Sequence, residues 1–414
     1  MEAVLFTTDY EEASLEIIRR VQNAASEIYY SYFMCDFKCS LPGTTVNLHT
    51  LFKQAAERGV QIFITYNVAA CYGNSSVEEL QALLPFASIR SVNGDGYING
   101  FLTNFVEHKK YSNHHQKYLA IDGKYVFLCA VEMHPQRQGW LKLNSDGFYW
   151  HEIGVVFRCT PEIWRYIQIC FHNGVMPPPF PLVNGNVVEH KLICKMISEA
   201  ENCIHMENQI CISSGTTLNQ VFTAVANRII KSFRQQDDFR FMFITNLYQM
   251  DEAKFIEHIT KNQLYWSLNH LRKSVLGVGV PQEFIDSRVF IGHLEHNNIP
   301  IKIHSNIIIK DGYECLRSSS NLSDRSLSVF KCDNELGILC KGENVKRLQQ
   351  TLWNRYFRCA PTVFSPQEAF ENCCSEQGVM QRIDNQRFFL CNVLLEYLHE
   401  TPFYGKQVIN WTLS

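Results

Sequence analysis

The residues of this chain that could do chemistry come in two sets. His115, Lys117 and Asp122 form the spacing His-x-Lys-x-x-x-x-Asp, and His304, Asn306 and Asp311 repeat it with asparagine in place of lysine. In an extended strand residues i and i+2 point to the same face, so this spacing projects an imidazole and an ammonium together. An imidazole can attack phosphorus or carry a proton, and an ammonium can neutralise phosphoryl oxygens. Two such strands brought face to face would supply a histidine pair for phosphoryl transfer. Asn306 donates a hydrogen bond but brings no charge. Losing that charge costs about 2 to 4 kcal/mol, or about 30- to 1000-fold in rate, so reduced turnover is expected rather than none.

Each motif is followed a few dozen residues later by a glutamate that opens an apolar strand, Glu152-Ile153-Gly154-Val155 and Glu335-Leu336-Gly337-Ile338. A carboxylate that accepts from one imidazole nitrogen fixes the tautomer and raises the basicity of the other nitrogen. The blander alternative is that both glutamates begin edge strands in solvent. Repetition of the whole arrangement favours the chemical reading.

The elements that must position these residues also come twice. A helix from Leu15 to Ala25, a strand from Glu27 to Met34, a helix from Leu48 to Arg58 and a strand from Val60 to Tyr66 lead to a Gly- and Asn-rich loop from Asn93 to Asn113, then to the His115 strand and its hairpin. Glu152 to Arg158 reads as a further strand and Pro161 to Phe171 as a helix. The run Pro177-Pro178-Pro179-Phe180-Pro181 reads as a linker. After it the order returns, with a helical insertion from Ala253 to His296 ahead of the His304 strand and a helix from Glu343 to Phe357. The two motifs lie about one half-length apart, which an internal duplication explains more simply than two unrelated domains. The expected division is residues 1–176, residues 177–357 and a helical appendage over 358–414.

At 414 residues the chain is too long for one ordinary core. Its net charge of -3 lacks the polycation signature of nonspecific nucleic-acid binding, and Lys109, Lys110 and Lys117 are too few for a strand-tracking groove. The first dozen residues have no basic region followed by an apolar stretch, and no window approaches 18 uninterrupted apolar residues. Neither a signal peptide nor a transmembrane segment is expected, which points to a cytoplasmic or peripherally membrane-associated protein. The 16 cysteines contain no Cys-x-x-Cys spacing and read as free thiols of a reducing compartment, Cys373-Cys374 included.

Beyond the two motifs, several segments recur in a known order: Ala55-Ala56-Glu57-Arg58-Gly59-Val60, His114-His115-Gln116-Lys117, Trp150-His151-Glu152-Ile153-Gly154, Glu207-Asn208-Gln209, Asn321-Leu322-Ser323-Asp324-Arg325-Ser326 and Asp333-Asn334-Glu335-Leu336-Gly337. Over about residues 15 to 357 the chain resembles the phospholipase D superfamily, and most nearly the core of the eukaryotic-type enzymes. The resemblance implies an α/β fold of two pseudo-symmetric α-β-α halves with mixed sheets and the active site at their interface. It implies a phosphohistidine intermediate, released by water or by a primary alcohol, with no metal or cofactor and with a phosphatidylcholine-like phospholipid as substrate. Carried over by position, His115 and His304 form the histidine pair, Lys117, Asn306 and Asn321 bind phosphate, Glu152 and Glu335 orient the imidazoles, and Asp122 and Asp311 lock the hairpins. Lys117 beside His115 favours that histidine as the nucleophile. Small residues after each motif are altered, to Cys129-Ala130 and Ser318-Ser319. Degenerate second motifs of this kind occur in phospholipase D-like proteins of intracellular pathogens and large viruses. A phosphate- or lipid-binding pseudoenzyme and a nuclease of the same superfamily are the competing readings.

Overall fold

The computed structural model describes residues 1–67, 77–92, 113–173, 178–183, 186–212, 218–246, 254–327, 333–357 and 380–382. Strands β1 (Ala3–Thr7), β2 (Glu27–Tyr32), β3 (Gln61–Asn67) and β4 (Ala87–Val92) alternate with helices α1 (Tyr10–Gln22), α2 (Leu48–Glu57) and α3 (Val77–Leu83). Then follow β5 (Asn113–His114), β6 (Tyr118–Ile121), β7 (Tyr125–Leu128), β8 (Tyr149–His151), β9 (Gly154–Arg158) and α4 (Pro161–Asn173). The first sheet runs β1-β9-β7-β6-β2-β3-β4, with β2, β3 and β4 parallel and the β6–β7 hairpin and β9 antiparallel beside them.

The same plan returns with β10 (Leu182–Val183), α5 (Asn186–Glu199), β11 (Cys203–Asn208), β12 (Cys211–Ile212), α6 (Leu218–Gln235), β13 (Arg240–Thr245), α7 (Lys254–Leu276) and α8 (Gln282–Arg288). Strands β14 (Val289–His296), β15 (Ile299–Ile303), β16 (Ile307–Lys310), β17 (Glu314–Ser318) and β18 (Leu322–Ser323) lead through α9 (Asp324–Leu327), β19 (Asp333–Asn334) and β20 (Gly337–Lys341) to α10 (Glu343–Phe357). The second sheet runs β10-β20-β17-β16-β11-β13-β14-β15-β8. Its central order β20-β17-β16-β11-β13-β14 repeats β9-β7-β6-β2-β3-β4 of the first, and the fold is the expected pair of pseudo-symmetric mixed-sheet halves.

Alternating side chains of each sheet enter different cores. Ile28, Tyr30, Leu119 and Ile121 pack beneath α1 and α2, whereas Tyr29, Tyr118 and Ala120 face a core shared with Ile307, Ile309 and Ile338 of the second half. Ile308, Ile204 and Met206 turn the other way, towards α5 and α6. Sheets buried on both faces read as continuous apolar runs, as the motif strands do.

Two sequence expectations need correction, and one strand was not foreseen. Val289–His296 is a strand and not the end of a helical insertion, because its apolar run Val289-Phe290-Ile291 extends the sheet in parallel beside β13. Residues Ala3–Thr7 form an edge strand paired with β9, a pattern too short to stand out in the sequence. Of the expected helical appendage, the described part is Met380–Arg382, a strand (β21) antiparallel to β14. Cys373, Cys374, Lys109, Lys110 and the loop over residues 93–112 lie outside the described residues. The described cysteines, among them Cys129, Cys203 and Cys340, carry free thiols. Among the described residues no helix is long and apolar enough to cross a membrane.

Candidate active site

The two motifs do not lie within strands. His115, Gln116 and Lys117 bridge β5 and β6, and His304, Ser305 and Asn306 bridge β15 and β16. Each bridge is where the chain leaves a short ladder with the opposite half and joins its own sheet. β5 pairs with β19, and the His115 amide donates to the Asn334 carbonyl at 3.0 Å. β15 pairs with β8, and the His304 amide donates to the His151 carbonyl at 2.9 Å. These ladders end one residue before Glu335 and Glu152, so each half delivers its glutamate to the histidine of the other.

The pairing is crosswise. His115 Nδ1 lies 2.8 Å from Glu335 Oε2, and His304 Nδ1 is hydrogen-bonded to Glu152 Oε2. A carboxylate at Nδ1 places the proton there and leaves Nε2 as the free nitrogen of each imidazole. The histidine side chains are 16% and 13% exposed and their glutamates 0% and 1%, so the imidazoles are the parts that a substrate can reach.

The two carboxylates are held differently. Glu335 also accepts from Ser319 Oγ at 2.5 Å and Ser326 Oγ at 2.7 Å, both neutral. Glu152 Oε1 is bound at 2.5 Å by Arg317 Nη2, a buried guanidinium that also donates to the carbonyls of Ile153 and Asn306. Burial pushes Glu152 up, but His304 and Arg317 overcome it and hold its carboxyl below the usual carboxylate range. Burial likewise acts on Glu335, where His115 and Lys117 prevail and lower it. Burial lowers His304 to about 4 against the opposing pull of Glu152, with Arg137 and then Lys117 disfavouring its protonation further.

The remaining expected site residues fall as follows. Lys117 is 3% exposed; its Nζ donates to the His115 carbonyl at 3.1 Å and lies 5.4 Å from the Phe33 ring. Asn306 is turned onto the protein, donating to the Ser319 carbonyl and to Asn321 Oδ1, each at 3.3 Å, and accepting from the Gln209 amide at 3.1 Å. Asp122 accepts from the amides of Ala25, Ser26 and Glu27, and Asp311 from those of Glu201, Asn202 and Cys203. Both aspartates have φ near +54°, so each pins its hairpin turn to the start of the neighbouring strand. Cys129 and Ala130 have φ of 60° and 50°, a left-handed conformation that costs a residue with a side chain about 1 kcal/mol or more.

The Glu-x-Gly repeat also has a packing reason. A Cβ on Gly154 would meet Phe127 Cε2 at 2.4 Å, and one on Gly337 would meet Ser318 Cβ at 2.8 Å. Each glycine lets the strand after the glutamate press against its hairpin.

Two further groups were not assigned as site residues from the sequence. Glu207 is buried beneath the second motif, bonded to His151 Nε2 at 2.9 Å, to Tyr356 OH at 2.5 Å and to Ser305 Oγ, with His205 Nε2 3.0 Å away. Burial raises this carboxyl and the two histidines overcome it, leaving it well below its ordinary value. In the first half the corresponding position is Ser31, whose Oγ lies 2.6 Å from His114 Nε2. Glu132 stands where the second half has Asn321, counted from the motif histidines, and accepts from the amides of Phe33 and Met34 at 2.6 and 2.7 Å. The equal count was a usable signal for Glu132.

No family model matches the chain. Phospholipase D zeta 2 of Arabidopsis thaliana is 25% identical over 217 residues, which cover 46% of this chain and 20% of that protein. Phospholipase D2 of Bos taurus is 29% identical over 163 residues, 34% of this chain and 17% of that protein. The chain therefore matches a fifth or less of the length of these curated relatives. The solved structure of phosphatidylserine synthase from Haemophilus influenzae Rd KW20 superposes with a TM-score of 0.55 at 10% identity, covering 98% of this chain and 91% of that one, and shares the fold. With its duplicated halves and paired histidine motifs, the chain is by these likenesses related to the phospholipase D superfamily.

Proposed function

We propose that this protein is a phospholipase D-type phosphodiesterase that cleaves glycerophospholipids through a phosphohistidine, handing the phosphatidyl group to water or to a primary alcohol. The observation that carries the reading is the crosswise pairing of two carboxylate-bound imidazoles, Glu335 with His115 and Glu152 with His304. Two basic nitrogens, each oriented by a buried carboxylate from the opposite half, are what a two-step displacement at phosphorus requires. The phospholipase D relatives support a lipid phosphodiester as substrate.

In this reading one Nε2 attacks phosphorus, forming the P–N bond as the P–O bond to the headgroup breaks, and the other imidazole gives its proton to the departing alcohol. The neutral imidazole then takes a proton from water or alcohol, whose oxygen displaces the histidine. Lys117 neutralises phosphoryl oxygens. In the sequence Lys117 beside His115 favours that histidine as nucleophile, since the ammonium would stabilise charge on the same phosphoryl group, but the motif is not the strand that would bring the two side chains to one face. The charges support the reverse division. Burial, helped by Arg137 and Lys117, keeps His304 neutral against the pull of Glu152, whose charge Arg317 also shares, and leaves it a lone pair to attack. Glu335 meets neutral hydroxyls besides Lys117 and His115, and in this division His115, oriented by it, is the proton donor.

Phosphatidylcholine vesicles and a primary alcohol test the reading. Wild type should form phosphatidylalcohol, and His115→Ala and His304→Ala should not; equal product from wild type and His115→Ala removes it. A second reading, a phosphate- or lipid-binding protein without turnover, is favoured by the engagement of Asn306 with Gln209, Ser319 and Asn321. Saturable binding of the vesicles without product would select it. Cleavage of single-stranded DNA in place of lipid would select a nuclease.

A further inference from the structure

Arg137, in the segment between β7 and β8, is 4% exposed. Its guanidinium carbon sits 3.6 Å from the centroid of the Trp150 ring, and the same indole lies 5.0 Å from the His304 ring. Its Nε and Nη1 are enclosed and have no hydrogen-bond partner, and among the described residues no carboxylate is within 4.0 Å of it. The other buried arginines are satisfied: Arg20 by Glu16, Arg228 by Asp237 and two carbonyls, Arg240 by the Ser287 carbonyl and Arg317 by Glu152 and three carbonyls. A buried cation with idle donors is unfavourable unless something else supplies the acceptor. Arg137 also weighs on the protonation of His304 more heavily than Lys117 does.

We propose that Arg137 is a phosphate ligand of this site, its idle N–H groups donating to an oxygen of a phosphomonoester or phosphodiester anion beside His304. It supplies the positive charge that Asn306 lacks, and Trp150 holds the guanidinium in place by cation–π stacking. The inference rests on the site reading above and adds a second cation to the one that Lys117 brings.

The test uses the full chain and inorganic phosphate, followed by calorimetry, with a thermal melt of each variant. Arg137→Met should weaken phosphate binding about tenfold to a hundredfold, the size of lost charge-assisted hydrogen bonds. It should lower the melting temperature only slightly, because Nε and Nη1 lose no protein partner and the stacking on Trp150 alone is given up. Arg137→Lys should retain part of the affinity. Adding Asn306→Lys to Arg137→Met should recover binding. Phosphate affinity of Arg137→Met within twofold of wild type overturns the proposal and leaves the site reading standing. A large drop in melting temperature with no recovery by Asn306→Lys also overturns it, by making Arg137 structural. Failure of wild type itself to bind phosphate removes the site reading along with it.

Discussion

The two half-sites share a backbone and differ in charge. Asp122 and Asp311 lock equivalent turns, Gly154 and Gly337 make equivalent close approaches, and Glu152 and Glu335 reach the opposite histidine in the same way. Yet the first half has Lys117 and Glu132 where the second has Asn306 and Asn321. Beneath the second motif lies a buried hydrogen-bonded cluster centred on Glu207, where the first half has Ser31 and His114. Backbone locks are set by turn geometry and admit few residues, whereas charge can be moved between segments so long as the total field at the phosphate is kept.

This comparison can be broken in four ways. The largest effect is expected at the histidines: His115→Ala and His304→Ala should each lower turnover by about 10^2- to 10^4-fold. Phosphate trapped from labelled substrate should sit on the peptide containing His304; label on His115 reverses the division of roles. Next come the carboxylates, compared by chemical denaturation. Glu152→Gln leaves the buried Arg317 charge uncompensated and should cost about 3 to 5 kcal/mol of stability. Glu335→Gln keeps hydroxyl neighbours and should cost about 1 to 2 kcal/mol. Equal losses would mean that the two carboxylates are held alike.

A third effect is the pH profile. With His304 as the attacking base, protonation removes its lone pair, so kcat/KM should fall as pH drops below about 4. If His304 were instead the proton donor, kcat/KM would already fall tenfold per unit as pH rises above about 4. The smallest effect concerns His114, which burial, Lys117 and His115 lower to about 3. Its unfolded pKa is about 6.5, so between these values the unfolded chain binds a proton that the folded chain does not. Stability should therefore be lost as pH falls below about 6.5, by up to about 1.4 kcal/mol per unit from this group. Replacing it by His114→Gln should flatten that slope; an unchanged slope would assign it to the carboxylates.

Much of the architecture was legible because it rests on local patterns. The apolar runs Ile28 to Tyr32 and Ile307 to Ile309, the turn residues Asp122-Gly123 and Asp311-Gly312, and the recurrence of the two motifs gave the duplicated α/β halves. The strand Val289–His296 was hidden because short apolar runs fit a helix or a strand equally, and the neighbour β13 decides between them. Arg137 carried no signal at all: a lone arginine between β7 and β8 becomes informative only once its surroundings show idle donors beside a shared indole.

What the sequence determined by itself was the inventory: two histidines at matching places, one lysine, two downstream glutamates and the turn residues that space them. What only the tertiary structure decided was the wiring. Chain order places Glu152 after His115 and Glu335 after His304, but each glutamate crosses to the other half. The parallel ladders β5–β19 and β8–β15 bring together segments that are far apart in the chain, and the direction of a carboxylate follows from the strand beside it and not from its place in the sequence.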